Sequence, residues 1–342
     1  MAHEIEEHDG LVLHREAAWH GLGIIVQDAP TPREALKIAG LDWECEQWPL
    51  SATDGESRLI LDKHQANVRS DTKQLLGVVG KDWIPFQNSD AANFCEALAE
   101  QNDVVKLESA GSIRNGQKVW FLMKGESFSV RGHSDDEIAP YILCSNGFDG
   151  GTGFRCTPTM IRVVCANTLH AVIPNYEGGH LKNLAPNSFS CVHSGKLTER
   201  IEQAKAALSL YGKSVETQRE LIDVCAAKDV NRADIQQFFL ECYTKDFGGI
   251  ADKPVGGKEE RRRVKAMDGF NLFANRFDSE SAMSGANAWT LFNSYSGYIQ
   301  HDRGSRLKDP AKRAEAKLSS NLFGTVADKT IDAFAKALTL AS

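Results

Sequence analysis

The stretch SNGFDGGTGFRCTPTMIRVVCANTL, residues 145–169, combines residue types and spacing that could do chemistry. It contains four glycines followed by two arginines: Gly147, Gly150, Gly151, Gly153, Arg155 and Arg162. Glycines permit tight turns that bring backbone amides near an anion, and arginines would add charge-assisted hydrogen bonds. The spacing matches neither a phosphate loop, which needs Gly-Lys-Ser/Thr, nor the dinucleotide pattern G-x-G-x-x-G. The stretch therefore predicts either an anion-binding loop or a wide hairpin loop without a ligand.

The same stretch ends in RVVCANTL, residues 162–169, which is typical of a buried strand that gives way to a turn. Asn167 and Thr168 have short polar side chains that hydrogen-bond readily to the nearby backbone, and such bonds cap turns. The alternative is that these two side chains contact a ligand.

A second candidate is AWHGLG, residues 18–23, which places Trp19 beside His20. Such a pair can stack on a nucleobase and hydrogen-bond to it. It can equally pack against the face of a domain, and a single histidine is more often structural than catalytic.

The densest positive charge is KEERRRVK, residues 258–265, which contributes Arg261, Arg262, Arg263 and Lys265. Further cations follow at Arg303, Arg306, Lys308, Lys312 and Arg313. This pattern indicates either a local nucleic-acid-binding patch or a solvated helix face.

The segment AWTLFNSYSGYIQHDRG, residues 288–304, carries Asn293, His301 and Arg303. A helix that ends near His301 would favour positive charge there, and this needs no catalysis to explain it. The sequence shows no nucleophile elbow, no acid/base carboxylate pair and no metal-ligand spacing. We therefore predict no catalytic residue, no metal and no cofactor.

The elements that must position these residues predict an α+β fold. Asn115-Gly116 is the preferred pair for a two-residue hairpin turn, so residues 104–125 read as two paired strands. Thr31-Pro32, Asn88 and Asn231 are typical helix starts. We expect an antiparallel sheet with helices in an N-terminal domain, residues 1–192, which holds the hairpins and the glycine-rich loop. An all-helical domain, residues 193–342, would follow, with a linker near 245–257.

The bulk composition is that of an ordinary globular protein of 342 residues with a net charge of −7. No apolar run is long enough to span a membrane, and the acidic N-terminus argues against a secretion signal, so we expect a cytoplasmic protein. The eight cysteines form no C-x-x-C pair and read as reduced thiols in apolar segments.

Three motifs together resemble one family: WHGLG, the stretch 145–169, and AWTLFNSYSGYIQHDRG followed by NLFG at 321–324. The chain is similar over roughly residues 15–340 to the phage/plasmid-like proteins, known as domain of unknown function 932. This resemblance implies nucleic-acid metabolism on a mobile element, and it brings no established activity. The positions that match as motif members are Trp19, His20, Asn167, Thr168, Asn293, His301 and Arg303.

We therefore expect a non-enzymatic nucleic-acid-binding protein of a phage or plasmid, which would act on single-stranded DNA in annealing, recombination or replication. Trp19 and Trp120 are its candidate stacking residues. The alternative is an interaction module that binds host proteins, for example in counter-defence. An enzyme with His20 or His301 as a base is the weakest hypothesis. The expected partners are nucleic acid or a host protein, without a membrane, and a homo-oligomer is compatible with either role.

Overall fold

The computed structural model of the protein describes residues 11–14, 24–101, 105–151, 153–162, 167–170, 172–177, 180–186, 189–190, 197–247, 257–304, 307–309, 313, 316–317, 320–321 and 324–342. Trp19, His20, Arg306 and Lys312 lie outside these residues.

Within these ranges the strands are β1 (Leu11–His14), β2 (Ile24–Val26), β3 (Cys45–Thr53), β4 (Arg58–Arg69), β5 (Leu75–Gly80), β6 (Lys106–Ile113), β7 (Lys118–Lys124), β8 (Phe128–Val130), β9 (His133–Gly147), β10 (Arg155–Arg162), β11 (Asn167–His170), β12 (Val172–Glu177), β13 (His180–Pro186) and β14 (Phe189–Ser190). The helices are α1 (Pro32–Ile38), α2 (Asn88–Gln101), α3 (Leu197–Ala226), α4 (Arg232–Phe247), α5 (Lys258–Ser284), α6 (Ala288–Gly297) and α7 (Thr325–Ala341). Helix α6 continues directly into a π-helical turn over Tyr298–Asp302.

Most of the strands belong to one large sheet with the order β11-β10-β9-β7-β6-β1-β2. Its neighbours pair antiparallel except for β1 and β2, and β8 and β14 pair with β9 and β10. A three-stranded antiparallel sheet, β3-β4-β5, and the β12-β13 pair complete the strands that the structure describes. Because sheets fill the N-terminal half and helices the C-terminal half, the predicted α+β class is confirmed.

The hairpin predicted from Asn115-Gly116 is present. Strands β6 and β7 meet at Ile113 and Lys118, and Asn115 and Gly116 have φ angles of 57° and 90°. Positive φ at both central residues is what this turn requires, and Asn and Gly tolerate it best. The turn therefore places β7 in the middle of the large sheet, where Phe121 is buried.

The predicted helix starts are also confirmed. Thr31 caps α1 and accepts a hydrogen bond from the Glu34 amide, while the Glu34 carboxylate accepts one from the Thr31 amide. This reciprocal pair satisfies two amides that a helix leaves free. The Asn231 side chain accepts from the amides of Ala233 and Asp234 at the start of α4. Helix α4 then continues through Phe247, so it extends into the first residues of the predicted linker, whose residues 248–256 are outside the described ranges.

Two hydrophobic cores hold these elements. One lies under the sheet and includes Phe94, Phe121 and Phe148, while the other gathers α4 to α7 around Phe273, Trp289 and Phe334. Asp136 of β9 is fully buried and accepts hydrogen bonds from the Ser284 hydroxyl at 2.7 Å and the Trp289 indole at 3.0 Å. This buried carboxylate therefore ties the large sheet to the helices. None of the described helices is both long and apolar enough for a membrane crossing.

Candidate functional site

A groove of about 960 Å³ lies where α5 faces the π-helical turn and the segment before α7. Among the described residues, seven cationic side chains line it: Lys258, Arg261, Arg262, Lys265, Arg303, Arg313 and Lys317. Asp268 is the single carboxylate among those lining residues. We call this feature the basic groove, and it concentrates positive charge in a chain whose net charge is −7.

Helix α5 supplies one wall because of the spacing of its cations. Positions 258, 261, 262 and 265 follow the i, i+3, i+4, i+7 pattern, which places side chains on one face of a helix. Arg263 lies off this face, is half-buried and does not line the groove. Glu259 and Glu260 also lie off it, in the first turn, where carboxylates suit the positive end of the helix dipole.

The π-helical turn places Arg303 on the opposite wall. The Arg303 amide donates to the Tyr298 carbonyl at 2.9 Å, five residues back, which is the π-helical spacing. The Arg303 guanidinium then lies 3.9 Å from the centroid of the Phe247 ring, at the end of α4. Because the side chain is still exposed, the ring fixes a cation that faces solvent.

The neighbouring carboxylate of Asp302 does not neutralise Arg303, because Arg276 of α5 binds it. The Arg276 Nε and Nη2 atoms donate to the two Asp302 carboxylate oxygens at 2.8 Å each. This two-point geometry is the strong form of an Arg–carboxylate pair. The hydrogen bonds that Arg276 donates to Asp302 hold the pKa of Arg276 above its usual range.

Lys317 and Arg313 are held by backbone carbonyls rather than by carboxylates. The Lys317 ammonium donates to the His301 carbonyl at 2.7 Å, and the Arg313 guanidinium donates to the Leu307 carbonyl at 3.0 Å. No ion pair in the described part of the chain joins a cation of the basic groove to a carboxylate. Lys317 and Arg313 are therefore held in place without an ion-paired carboxylate among the described residues.

The floor of the groove is aromatic and largely buried. Tyr243 and Tyr298 are 9% and 4% exposed, and burial together with Tyr243 raises the pKa of Tyr298 to about 12. Both rings pack against Gly269 of α5, where an added Cβ would stand 2.5 Å from the Tyr298 hydroxyl oxygen. A side chain at position 269 would therefore push this floor outwards.

The structure brings together five of the cations named from sequence: Arg261, Arg262, Lys265, Arg303 and Arg313. His301 is half-buried, and it is the His301 carbonyl that contacts a groove residue. Asn293 is 1% exposed, and its amide donates to the Trp289 carbonyl, so packing removes it from any ligand. Lys317 and Phe247 were not predicted, and Lys258 entered the prediction only as the first residue of the patch 258–265. Helical spacing on α5 points to Lys258, whereas no sequence signal links Lys317 or Phe247 to that helix.

The glycine loop, residues 148–154, is built differently. Phe148 and Phe154 are buried and pack on Trp43 and Phe86. Gly77 of β5 lies so close that an added Cβ would stand 2.7 Å from the Asp149 Cα. The side-chain amide of Asn67 donates a hydrogen bond to the Phe148 carbonyl at 2.8 Å. These contacts pack the loop between the large sheet and the three-stranded sheet β3-β4-β5. We call this arrangement a packed joint.

Arg155, beside this loop, does not line the basic groove. Arg155 is exposed on β10 opposite Ser145, and Arg162 pairs in register with Ile138 and Asn167. The predicted turn placement of Asn167 and Thr168 is wrong, because both belong to β11, where antiparallel pairing with β10 extends the sheet. Residues 163–166 lie outside the described ranges.

The cysteines that the structure describes are buried thiols and are not joined in disulfides: Cys45, Cys95, Cys144, Cys156, Cys225 and Cys242. Burial raises the pKa of Cys45 to about 12 and that of Cys225 and Cys242 further, so these three stay protonated near neutral pH. In the described part of the chain, no three His, Cys, Asp or Glu side chains are grouped as a metal site would require.

Comparison with known proteins gives one match. Residues 75–322, well over half of the chain, match a family described as domain of unknown function (DUF932). No curated protein and no solved structure matches the chain. The matched region contains the glycine loop, α5 and the π-helical turn.

Proposed function

The chain belongs to the DUF932 family, and we propose that it is a non-enzymatic nucleic-acid-binding protein of a phage or plasmid. Its expected roles are single-strand annealing, recombination or replication. The observation that supports this proposal is the basic groove, where distant segments bring seven cations and one carboxylate of the described residues to a shared surface. Single-stranded DNA is the partner we favour.

The chemistry of the groove suits a polyanion. Binding of nucleic acid is driven largely by release of the counterions that surround its phosphates, so local positive charge matters more than net charge. Each phosphate neutralised on a single strand contributes about −0.7 to the slope of log K against log salt. If all seven cations contacted phosphates, the slope would reach roughly −5.

A matched pair of substitutions tests the proposal. Arg262 lines the basic groove and Arg263 does not, although they are neighbours on α5. Arg262→Glu and Arg263→Glu change the net charge of the chain equally. Fluorescence anisotropy with a labelled single-stranded oligonucleotide would measure affinity at several salt concentrations. We expect Arg262→Glu to weaken binding by roughly tenfold and to flatten the salt slope, because one contact becomes a repulsion.

The control Arg263→Glu should change affinity by no more than about twofold, as expected for a screened charge away from the contact. An affinity that does not depend on salt, or equal losses in the two variants, would exclude binding of phosphates at the basic groove.

The second candidate is a module that binds host proteins. Val264 and Met267 are 50% and 57% exposed on α5, and neighbouring exposed apolar side chains are typical of protein-contact surfaces. Co-purification from a host lysate after nuclease treatment separates the two functions. A partner that survives nuclease and is lost with Met267→Lys would favour this candidate, whereas loss of every partner with the nucleic acid would discard it.

A further inference from the structure

We propose that the basic groove recognises the phosphodiester backbone alone and reads no bases, so that its ligand class is defined by spaced phosphates. This inference rests on the proposed function and sharpens it. It replaces the expectation of base stacking, which the sequence suggested through Trp19 and Trp120. Trp19 lies outside the described residues, and Trp120 is 3% exposed within the large sheet.

The aromatic side chains among the described lining residues, Tyr243, Phe247 and Tyr298, are already engaged by the protein. Tyr243 lies 5.3 Å from the Phe239 ring and 4.9 Å from the Phe247 ring, and Tyr298 is buried. Phe247 holds two protein cations, with the Arg303 guanidinium 3.9 Å and the Lys329 ammonium 4.0 Å from its centroid. Base stacking needs an open ring face, and these rings are occupied.

Gln300, one of the polar residues that line the groove, is turned into the protein and does not present its amide to a base edge. A glutamine amide is one of the side chains that pair best with a base, since it donates and accepts together. The Gln300 amide is 2% exposed and donates to the Ser296 hydroxyl at 2.8 Å. The Gln300 amide is therefore bonded within the protein and does not pair with a base.

Three cations of the groove, in contrast, are held in place by protein contacts. Phe247 holds Arg303, and backbone carbonyls hold Arg313 and Lys317. Fixing these side chains before binding lowers the entropy cost of gripping a phosphate.

Oligonucleotides with and without bases test the inference. The full chain would be titrated with three labelled oligodeoxynucleotides of equal length and phosphate number. One consists of thymidine, one of deoxyadenosine and one of abasic sites. We expect the three affinities to agree within about threefold, because each stacked base would otherwise add roughly tenfold. Inorganic polyphosphate should displace each strand completely.

Phe247→Leu provides a second readout. If Phe247 only holds Arg303, the variant weakens binding of the thymidine and abasic strands by the same factor. If Phe247 stacks on a base, the variant weakens only the strand that has bases, and the inference is overturned. The inference is also overturned if the unmodified protein binds the abasic strand more than tenfold more weakly than the thymidine strand. Failure of every strand to bind would instead refute the proposed function, so the two failures are distinguishable.

Discussion

The glycine loop and the basic groove both combine glycines with aromatic side chains, yet the protein uses them in opposite ways. At the loop, Phe148 and Phe154 fill the core and Gly77 lets a strand approach the Asp149 backbone closely. At the groove, cations from α5, the π-helical turn and the segment before α7 converge without carboxylate partners among the described residues.

This difference separates residues that the fold explains from residues that it does not. Packing density accounts for the glycines and phenylalanines of the loop, because interiors tolerate neither voids nor overlaps. Packing does not account for a cluster of like charges, which costs free energy through mutual repulsion in the unbound protein. Substitutions in the packed joint should therefore lower stability, whereas substitutions at the charged surface should lower affinity for nucleic acid.

The largest effect is expected at the loop. Phe148→Ala removes a fully buried ring that packs on Trp43 at a centroid distance of 5.3 Å. We expect the free energy of unfolding to fall by about 3–5 kcal/mol, measured by urea denaturation. The exposed Arg155, a few residues away, serves as the control, and Arg155→Ala should change stability by less than about 0.5 kcal/mol. Equal effects of the two variants would mean that the loop is not a packed joint.

A second test compares two glycines on the same strand. An added Cβ at Gly77 would lie 2.7 Å from the Asp149 Cα, whereas an added Cβ at Gly80 would meet nothing within 4 Å. Gly77→Ala should therefore destabilise the protein by about 1–3 kcal/mol, because backbone must move. Gly80→Ala should be neutral or slightly stabilising. Thermal unfolding of the two variants side by side checks this, and a neutral Gly77→Ala would contradict the close approach.

A rise in pH should lower the free energy of unfolding through Tyr298 in the groove floor. Burial raises the pKa of Tyr298 to about 12, above the value of about 10 for an exposed tyrosine. The stability that comes from keeping Tyr298 neutral is complete below pH ~10 and is lost as the pH rises through ~12. At pH 11 the loss should be about 1.4 kcal/mol. Urea denaturation between pH 8 and pH 11 measures it, and Tyr298→Phe should show a smaller fall than the unmodified chain.

The smallest effect is expected from the ion pair between Arg276 and Asp302, which keeps the Asp302 carboxylate from pairing with Arg303. Arg276→Leu releases Asp302 to neutralise Arg303, so affinity for single-stranded DNA should drop by about fivefold, as for an exposed ion pair of ~1 kcal/mol. Adding Asp302→Asn to this variant should restore the affinity, because the released carboxylate is gone. Anisotropy titrations of the single and double variants give the answer. A double variant as weak as the single one would show that Arg276 acts through the fold and not through the charge of Asp302.

Local sequence signals predicted local structure well. The Thr31 capping box, the Asn115-Gly116 turn and the Asn231 cap each depend on residues a few positions apart, so their physics is contained in a short window. The same reasoning failed at Asn167 and Thr168, where pairing with β10 outweighed the turn preference of these residues. It also missed Lys317, because its hydrogen bond to the His301 carbonyl joins segments that no sequence period relates.

By itself, the sequence determined the α+β class, the helix starts, the central hairpin and the row of cations on one face of α5. These features follow from backbone preferences and helical periodicity. Only the tertiary structure decided that Arg303 and Lys317 would face that row, that Asn293 and Trp120 would be buried, and that the glycine loop would be a packed joint. The reason is physical, since the potential of a surface and the closeness of two backbones depend on distances between segments that are far apart in sequence.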